Sequence, residues 1–286
     1  MDNFNLRNNP GPEDENISPE ARRATVSYRL ALMMALMLSG LALLLTVEWP
    51  NTFHLCSLTV AIPLVWPAIG LLTVAMTLGA VLIFYPHPSL QDVSAFLTLW
   101  PLPALTTCLA VLFLRQVTSE MLWGGGIIVA GLILYILFRL EYRVMHREGE
   151  DQWAEWGIQM MAYLLALAYF VLICRAGWRV FLSALAMMAV GGILALRLLR
   201  SSTPEGTGQR QGGMCALIIG LILGEVTWAL SYLPSRGTIE GMLLFLTFYV
   251  FTGLARRGLR DRLTRSALLE YGVVALLGLG LLIRFG

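Results

Sequence analysis

Long, continuous apolar runs separated by short polar segments fill most of this chain. A helix needs about 20 apolar residues to cross the hydrocarbon core of a bilayer. Nine stretches approach or exceed that length, at 27–48, 57–85, 96–114, 121–140, 156–174, 178–199, 213–232, 238–255 and 267–283. The strands of a membrane β-barrel would instead alternate apolar and polar residues. The pattern therefore predicts an all-α polytopic transmembrane bundle of about nine helices.

Residues 1–25 differ from the rest, because they are polar and rich in Asn, Pro, Asp and Glu. They lack the apolar core that a cleavable signal peptide requires. No loop between the nine stretches is long enough to hold a soluble domain with its own core. We therefore expect a disordered polar tail over 1–25 and a single transmembrane helical domain over 26–286.

Composition supports this interpretation and excludes several kinds of chemistry. Of the 286 residues, 57% are apolar and 13% are charged, against roughly 25% charged in an average soluble domain. The combined count of lysine and arginine is 20, and all 20 are arginine. The chain therefore has no lysine to form a Schiff base, to bind phosphate in a P-loop or to act as a general base.

Residues that bind metals and cofactors are scarce and poorly spaced. The three histidines (His54, His87 and His146) lie outside the apolar runs, which argues against haem and zinc sites. The four cysteines have no CxxC spacing, so a cysteine metal site or redox motif is not expected. A net charge of +2, without a basic cluster among aromatic residues, argues against nucleic-acid binding. We expect no metal, no cofactor, no nucleic-acid partner and no enzymatic activity.

The arginines indicate the orientation of the nine helices. With the N-terminus in the cytoplasm, 15 of the 20 arginines fall in inner segments and 5 in outer segments. Cytoplasmic segments of membrane proteins carry an excess of basic residues. The distribution therefore predicts a cytoplasmic N-terminus and an outer C-terminus. Cys56 and Cys174 then both lie on the outer side, where they could form a disulfide.

Glu225 is the sharpest candidate for function, because it lies inside the seventh apolar stretch with Trp228 close by. At 1.5 Å per residue it is about 18 Å from the inner end of that helix and about 10 Å from Tyr232. An ionisable group at this depth is costly and indicates a functional role. A stripe of small residues beside it would let another helix approach and bury the carboxylate: Ala216, Gly220 and Gly224. Two interpretations are open, a carrier of protons or cations and a protonated structural group.

Other polar residues within the apolar stretches offer partners for this carboxylate. Thr247, on the eighth stretch, lies within about one turn of the depth of Glu225. Gln159 and Tyr163 share a face of the fifth stretch, being four residues apart. They either line a polar seam or form hydrogen bonds across helices.

Two charged segments lie at predicted inner ends. The segment 256–265 contains five arginines, which either bind anionic lipid headgroups or only determine the topology: Arg256, Arg257, Arg260, Arg262 and Arg265. Glu270 nearby either pairs with one of these arginines or favours the N-terminus of the ninth helix. The segment 139–155 is also densely charged, and it is either a solvated helix end or a surface that docks a partner.

The stretch from Gly220 to Tyr271 carries a family resemblance. It reads GLILGEVTWALSYLP and then, from Gly241, GMLLFLTFYVFTGLARRGLRDRLTRSALLEY. This stretch resembles bacterial multi-pass membrane proteins that are grouped as a domain of unknown function. The resemblance implies a bacterial membrane location and supplies no activity, ligand or site residue.

Two classes of function fit these observations. The first is a non-catalytic scaffold, assembly factor or subunit of a complex in the bacterial cytoplasmic membrane. Its partners would be the bilayer, anionic lipids and other membrane subunits. The alternative is a small proton- or cation-linked transporter that uses Glu225, with Thr247, Gln159 and Tyr163 along its pathway. No nucleophile–base pair or metal cluster indicates an enzyme.

Overall fold

The computed structural model describes residues 40, 53–55, 58–60, 101–114, 119–146, 152–200, 208–232, 237–259, 269–274, 276, 278 and 280. Six helices have defined bounds: α1 Pro101–Leu114, α2 Glu120–His146, α3 Gln152–Arg175, α4 Val180–Arg200, α5 Gly208–Leu230 and α6 Gly237–Leu259. The described residues from 269 to 280 are also helical. Helices α2 to α6 are long and apolar enough to cross a membrane, and α1 is a shorter apolar helix.

The helical prediction is confirmed over this part of the chain. Helices α1 to α6 coincide with the third to eighth apolar stretches, and the helical residues after 269 fall in the ninth. Most of the first two stretches and the whole tail 1–25 lie outside the described residues. The coarse fold is therefore a multi-pass helical bundle, whereas the count of nine and the orientation stay predictions.

A small antiparallel pair of strands is the exception to the helical pattern. Strand β1 (Phe53–Leu55) pairs with β2 (Leu58–Val60), with Phe53 opposite Val60 and Leu55 opposite Leu58. A two-residue connection is the commonest in hairpins, and β-branched residues such as Thr59 and Val60 favour strands. Residues 58–60 are therefore strand rather than the start of the second predicted helix.

A glycine turn makes α3 and α4 antiparallel neighbours. Gly177 follows the last turn of α3 with a φ of 61°, the left-handed conformation that ends many helices and that glycine adopts without strain. The backbone amide of Ala176 still donates to the carbonyl of Leu172 at 2.9 Å. The chain therefore reverses within four residues, and α4 begins at Val180.

Small residues allow α4 and α5 to pack closely. A Cβ atom on Gly220 would lie 2.7 Å from the carbonyl oxygen of Met188 and 3.2 Å from the Cα of Gly192. A Cβ atom on Gly224 would lie 3.4 Å from the carbonyl oxygen of Ala184. In a membrane, where lipid is as apolar as leucine, such close backbone approach drives helix association. The prediction that the small stripe of this helix admits a neighbour is confirmed.

Aromatic packing joins α3 to α6 in the centre of the bundle. Phe170 and Phe248 are fully buried, and their ring centroids lie 5.6 Å apart in an edge-to-face arrangement. The hydroxyl of Tyr169 donates to the carbonyl of Leu105 at 2.7 Å and so ties α3 to α1. Edge-to-face pairs are stabilising beyond their buried area, so α3 is the central helix to which α1 and α6 attach.

Candidate functional site

An ion pair is buried at one end of the bundle, between Glu141 of α2 and Arg197 of α4. The Nη2 of Arg197 lies 3.7 Å from the Oε1 of Glu141, and the two side chains are 7% and 0% exposed, respectively. Within the described part of the chain, the two carboxylate oxygens of Glu141 have no hydrogen-bond partner, and the Nε of Arg197 has none either. The two charges are therefore held by electrostatic attraction with little hydrogen bonding, a costly arrangement inside a protein.

The segment 139–155 was expected to be a solvated helix end or a docking surface, and for Glu141 that expectation is wrong. The buried positions of α2 recur with helical spacing at Leu134, Leu137 and Phe138, and Glu141 continues the same stripe. Arg139 and Arg143 lie on the opposite face and are exposed. Residues three or four apart share a helix face, so this spacing was a signal that could have identified Glu141.

A second polar contact joins α3 to α6. The Nη1 of Arg256 donates to the Oε1 of Gln159 at 3.1 Å. One turn further along α3, the ring of Tyr163 lies 5.5 Å from that of Tyr249. Gln159 and Tyr163 therefore share a face, as predicted, and that face packs on α6. In the structure, both side chains contact α6.

Arg257, near the end of α6, contacts the helical residues Glu270 and Tyr271. Its Nη2 lies 2.9 Å from the Oε2 of Glu270, and its guanidinium lies 5.0 Å from the centre of the Tyr271 ring. The expectation that Glu270 pairs with an arginine of this cluster is confirmed. Arg256 and Arg257 thus contact protein groups, while Arg260, Arg262 and Arg265 lie outside the described residues. Lipid binding by the five arginines stays a prediction.

Glu225 lies on the exposed surface of α5, so the expectation that the small stripe would bury it is wrong. The stripe does contact α4, but successive helical residues are about 100° apart. Glu225 therefore lies at the edge of the α4 contact that holds Gly224, on the exposed side. Among the residues that the structure describes, none forms a hydrogen bond or ion pair with its carboxylate.

The neighbours predicted for Glu225 have other contacts. Trp228 is 53% exposed, and its indole Nε1 donates to the hydroxyl of Tyr232 at 3.1 Å. The hydroxyl of Thr247 donates to the carbonyl of Leu243 in its own helix at 2.9 Å. Trp228 thus lies on the exposed surface of α5 beside Glu225. The hydroxyl of Thr247 is paired within α6 instead of with Glu225.

The cysteines and metal-binding residue types form no further site among the described residues. The described residues hold no group of three or more His, Cys, Asp or Glu residues that could bind a metal ion. Cys174 is a free thiol in the structure, and Cys56, with which it could form a disulfide, lies outside the described residues.

Comparison with known proteins identifies a family. The model of a family described as "Protein of unknown function (DUF5656)" matches residues 46–285. The matched span includes α1 to α6 and the helical residues after them, and it confirms the resemblance to a domain of unknown function. Nothing among the curated proteins or the solved structures matches the chain.

Proposed function

The chain belongs to the DUF5656 family, and we propose that it is a non-catalytic subunit of a membrane protein complex. The partner binds the outer face of α5, which we define by its exposed residues: Met214, Leu217, Ile218, Leu221, Glu225 and Trp228. The proposed setting is the bacterial cytoplasmic membrane, with nine helices, the N-terminus inside and the C-terminus outside. The exposed carboxylate of Glu225 within this apolar face is the observation that carries the proposal.

The outer face of α5 is a continuous stripe along the helix. Each member lies three or four residues from another member, the spacing that places side chains on one side of a helix. From Met214 to Trp228 the stripe extends about 21 Å along the axis. Five of its six members are apolar and suit contact with either lipid or protein. Glu225 is the exception.

Contact between Glu225 and lipid would be costly. The residue lies five positions before Leu230, where α5 ends, so it is about 8 Å from that end. A charged side chain in a membrane helix costs about 2.5–3.5 kcal/mol at the bilayer centre and less toward the surface. A partner helix with a hydrogen-bond donor opposite Glu225 would remove this cost.

The aromatic pair beside Glu225 also supports a contact surface. Trp228 and Tyr232 are both exposed and joined by a hydrogen bond. Large amphipathic rings are enriched at the centres of protein interfaces and at the borders of membranes. They follow the carboxylate by three and seven residues, toward the end of α5, so one partner helix could contact all three side chains.

The polar groups inside the bundle support a structural rather than a catalytic role. Glu141 contacts Arg197, and Gln159 contacts Arg256. Each of these contacts joins two helices, and no group within them is poised as a nucleophile beside a base. These interior polar residues contact one another across helices, whereas Glu225, on the outer face of α5, has no such partner among the described residues and could contact an external one.

The proposal is tested by purifying the tagged full chain from native membranes in mild detergent. The size of the purified complex is then compared for the wild type, Glu225→Gln and Glu225→Leu. We expect the Glu225→Gln variant to keep the complex, because glutamine retains hydrogen-bonding atoms. We expect the Glu225→Leu variant to lose it. A Leu132→Gln variant is the matched control, because Leu132 is an exposed residue of α2. An unchanged complex in Glu225→Leu would contradict the proposal.

The same variants test the alternative of proton or cation transport through Glu225, which would use Thr247, Gln159 and Tyr163. Glutamine cannot release a proton, so a carrier would lose flux into liposomes with Glu225→Gln. A subunit would show no Glu225-dependent flux and would keep its complex. Flux that disappears with Glu225→Gln would replace the subunit proposal with the transport one.

A further inference from the structure

A cavity of about 930 Å³ lies between α1, α2 and α3. Its walls include Leu109 and Phe113 of α1, Val129 and Ile133 of α2, and Leu164 and Ala168 of α3. Its volume falls within the range of roughly 300–1,000 Å³ that is typical of small-molecule sites. The cavity is distinct from the outer face of α5, because α5 contributes no lining residue among those described.

The cavity has the length and polarity that an acyl chain requires. Its lining on α3 runs from Met161 to Arg175, about 21 Å along the helix axis. One leaflet of the hydrocarbon core is about 15 Å thick, so the cavity is longer than a leaflet is deep. The hydroxyl of Thr106, on the wall, donates to the carbonyl of Leu102 at 2.7 Å. That hydroxyl is thus already paired, and the walls offer apolar contact.

Arg175 is the one charged residue among the described residues that line this cavity. It is exposed and lies in the last turn of α3, next to the Gly177 turn that ends the membrane-spanning segment. Arginine at such a position extends its guanidinium toward the headgroup region while its stem contacts apolar surface. The guanidinium can form two parallel hydrogen bonds with a phosphate.

We propose that this cavity binds a membrane phospholipid with an anionic headgroup. One acyl chain lies between α1, α2 and α3, and the phosphate contacts Arg175 at the mouth. Arg175 attracts the phosphate and repels a cationic group beside it, so an anionic headgroup is favoured over a zwitterionic one. The apolar walls select a long hydrocarbon chain. The site is separate from the arginine segment 256–265 and does not depend on the proposed role of α5.

The test uses the full chain in lipid vesicles that contain a phospholipid with a photoactivatable acyl chain. The probe is a phosphatidylglycerol, and the comparison probe is a phosphatidylcholine with the same chain. After irradiation, mass spectrometry identifies the labelled peptides. We expect phosphatidylglycerol to label the lining segments of α1, α2 and α3 more strongly than phosphatidylcholine does. Equal labelling by the two probes, or labelling confined to other helices, would overturn the proposal.

Two variants separate the headgroup contact from the chain contact. Arg175→Gln should reduce the preference for phosphatidylglycerol by about fivefold, the effect of one arginine near anionic headgroups. Ala168→Phe should reduce labelling by both probes because it fills the cavity. Arg179→Gln is the matched control, since Arg179 is an exposed arginine that does not belong to the described lining. An equal loss in Arg179→Gln and Arg175→Gln would show that the cavity does not position the headgroup, and would contradict the proposal even if Ala168→Phe fails to fold.

Discussion

Glu141 and Arg197 show how a buried charge depends on a single partner. Their side chains are almost wholly removed from solvent, at a nitrogen–oxygen distance of 3.7 Å. Removing one member of a buried ion pair leaves the other charge without compensation, whereas replacing both with apolar residues of similar size is often neutral or stabilising. The two changes therefore have very different expected effects on stability.

We expect Glu141→Gln and Arg197→Gln each to lower the free energy of unfolding by about 3–5 kcal/mol, the usual cost of breaking a buried pair. The double variant Glu141→Leu with Arg197→Met should recover most of that loss. Unfolding of the purified chain in mixed detergent measures these values. Arg139→Gln, at an exposed position of α2, serves as the control. If the double variant lost as much stability as the two single variants together, a direct interaction between Glu141 and Arg197 would be contradicted.

Glu141 and Glu225 also show what sequence reasoning can and cannot predict for single residues. The burial of Glu141 could be read from its spacing after Leu134 and Phe138. The exposure of Glu225 depends on how α5 is rotated against its neighbours. The stripe through Gly220 predicts that a helix packs there, but a residue one step away lies near the edge of that contact. Whether such a residue is buried or exposed depends on the side chains of α4 that face it, and these cannot be identified from the sequence of α5 alone.

At the scale of helices, the contact between α4 and α5 depends on the absence of a side chain at Gly220. A Cβ atom there would lie 2.7 Å from the carbonyl oxygen of Met188, and backbone cannot move aside as a flexible side chain can. Gly213 on the same helix faces open space, since a Cβ atom added there would meet no heavy atom within 4 Å. The two glycines thus form a matched pair for substitution by alanine.

Gly220→Ala should destabilise the chain by about 1–3 kcal/mol, the usual cost of adding a carbon atom to a tightly packed site. Gly213→Ala should be neutral or slightly stabilising, because alanine favours helix over glycine. Unfolding in mixed detergent measures both variants under the same conditions. Equal stability of the two variants would be inconsistent with the close α4–α5 contact.

The contact between α3 and α6 has a smaller expected energy. Hydrogen bonds between membrane helices contribute about 0.6 kcal/mol on average and at most about 1.7 kcal/mol. A double-mutant cycle with Gln159→Ala and Arg256→Ala should therefore give a coupling energy in this range. Unfolding of the wild type and the three variants provides the four values. A coupling energy of zero would mean that the 3.1 Å contact does not contribute to stability.

At the scale of the whole molecule, the sequence predicts much of the architecture. Six of the predicted stretches coincide with α1 to α6 because long apolar runs have few alternatives to helix in a bilayer. Polar contacts between helices are less predictable, since they join residues as distant in the chain as Gln159 and Arg256. The activity could not be predicted, because no described cluster of residues is specific to one reaction.

The predicted orientation gives a test for the whole chain. Reporter domains fused within the segment 256–265 should be active in the cytoplasm, because this segment carries the densest group of arginines. A fusion in the turn at Gly177 should place the reporter on the outer side. An outer location for the segment 256–265 would contradict both the orientation and the count of nine helices.

The proposed subunit role depends most directly on what contacts the outer face of α5 in the native membrane. A photoactivatable amino acid at Leu221, which is 46% exposed, reports on this face, and one at Leu132, which is 58% exposed, reports on α2 as a control. We predict that the probe at Leu221 cross-links to one defined protein, and that Glu225→Leu abolishes the product. Cross-links from Leu221 to lipid alone, or a protein product that persists with Glu225→Leu, would contradict the proposed role.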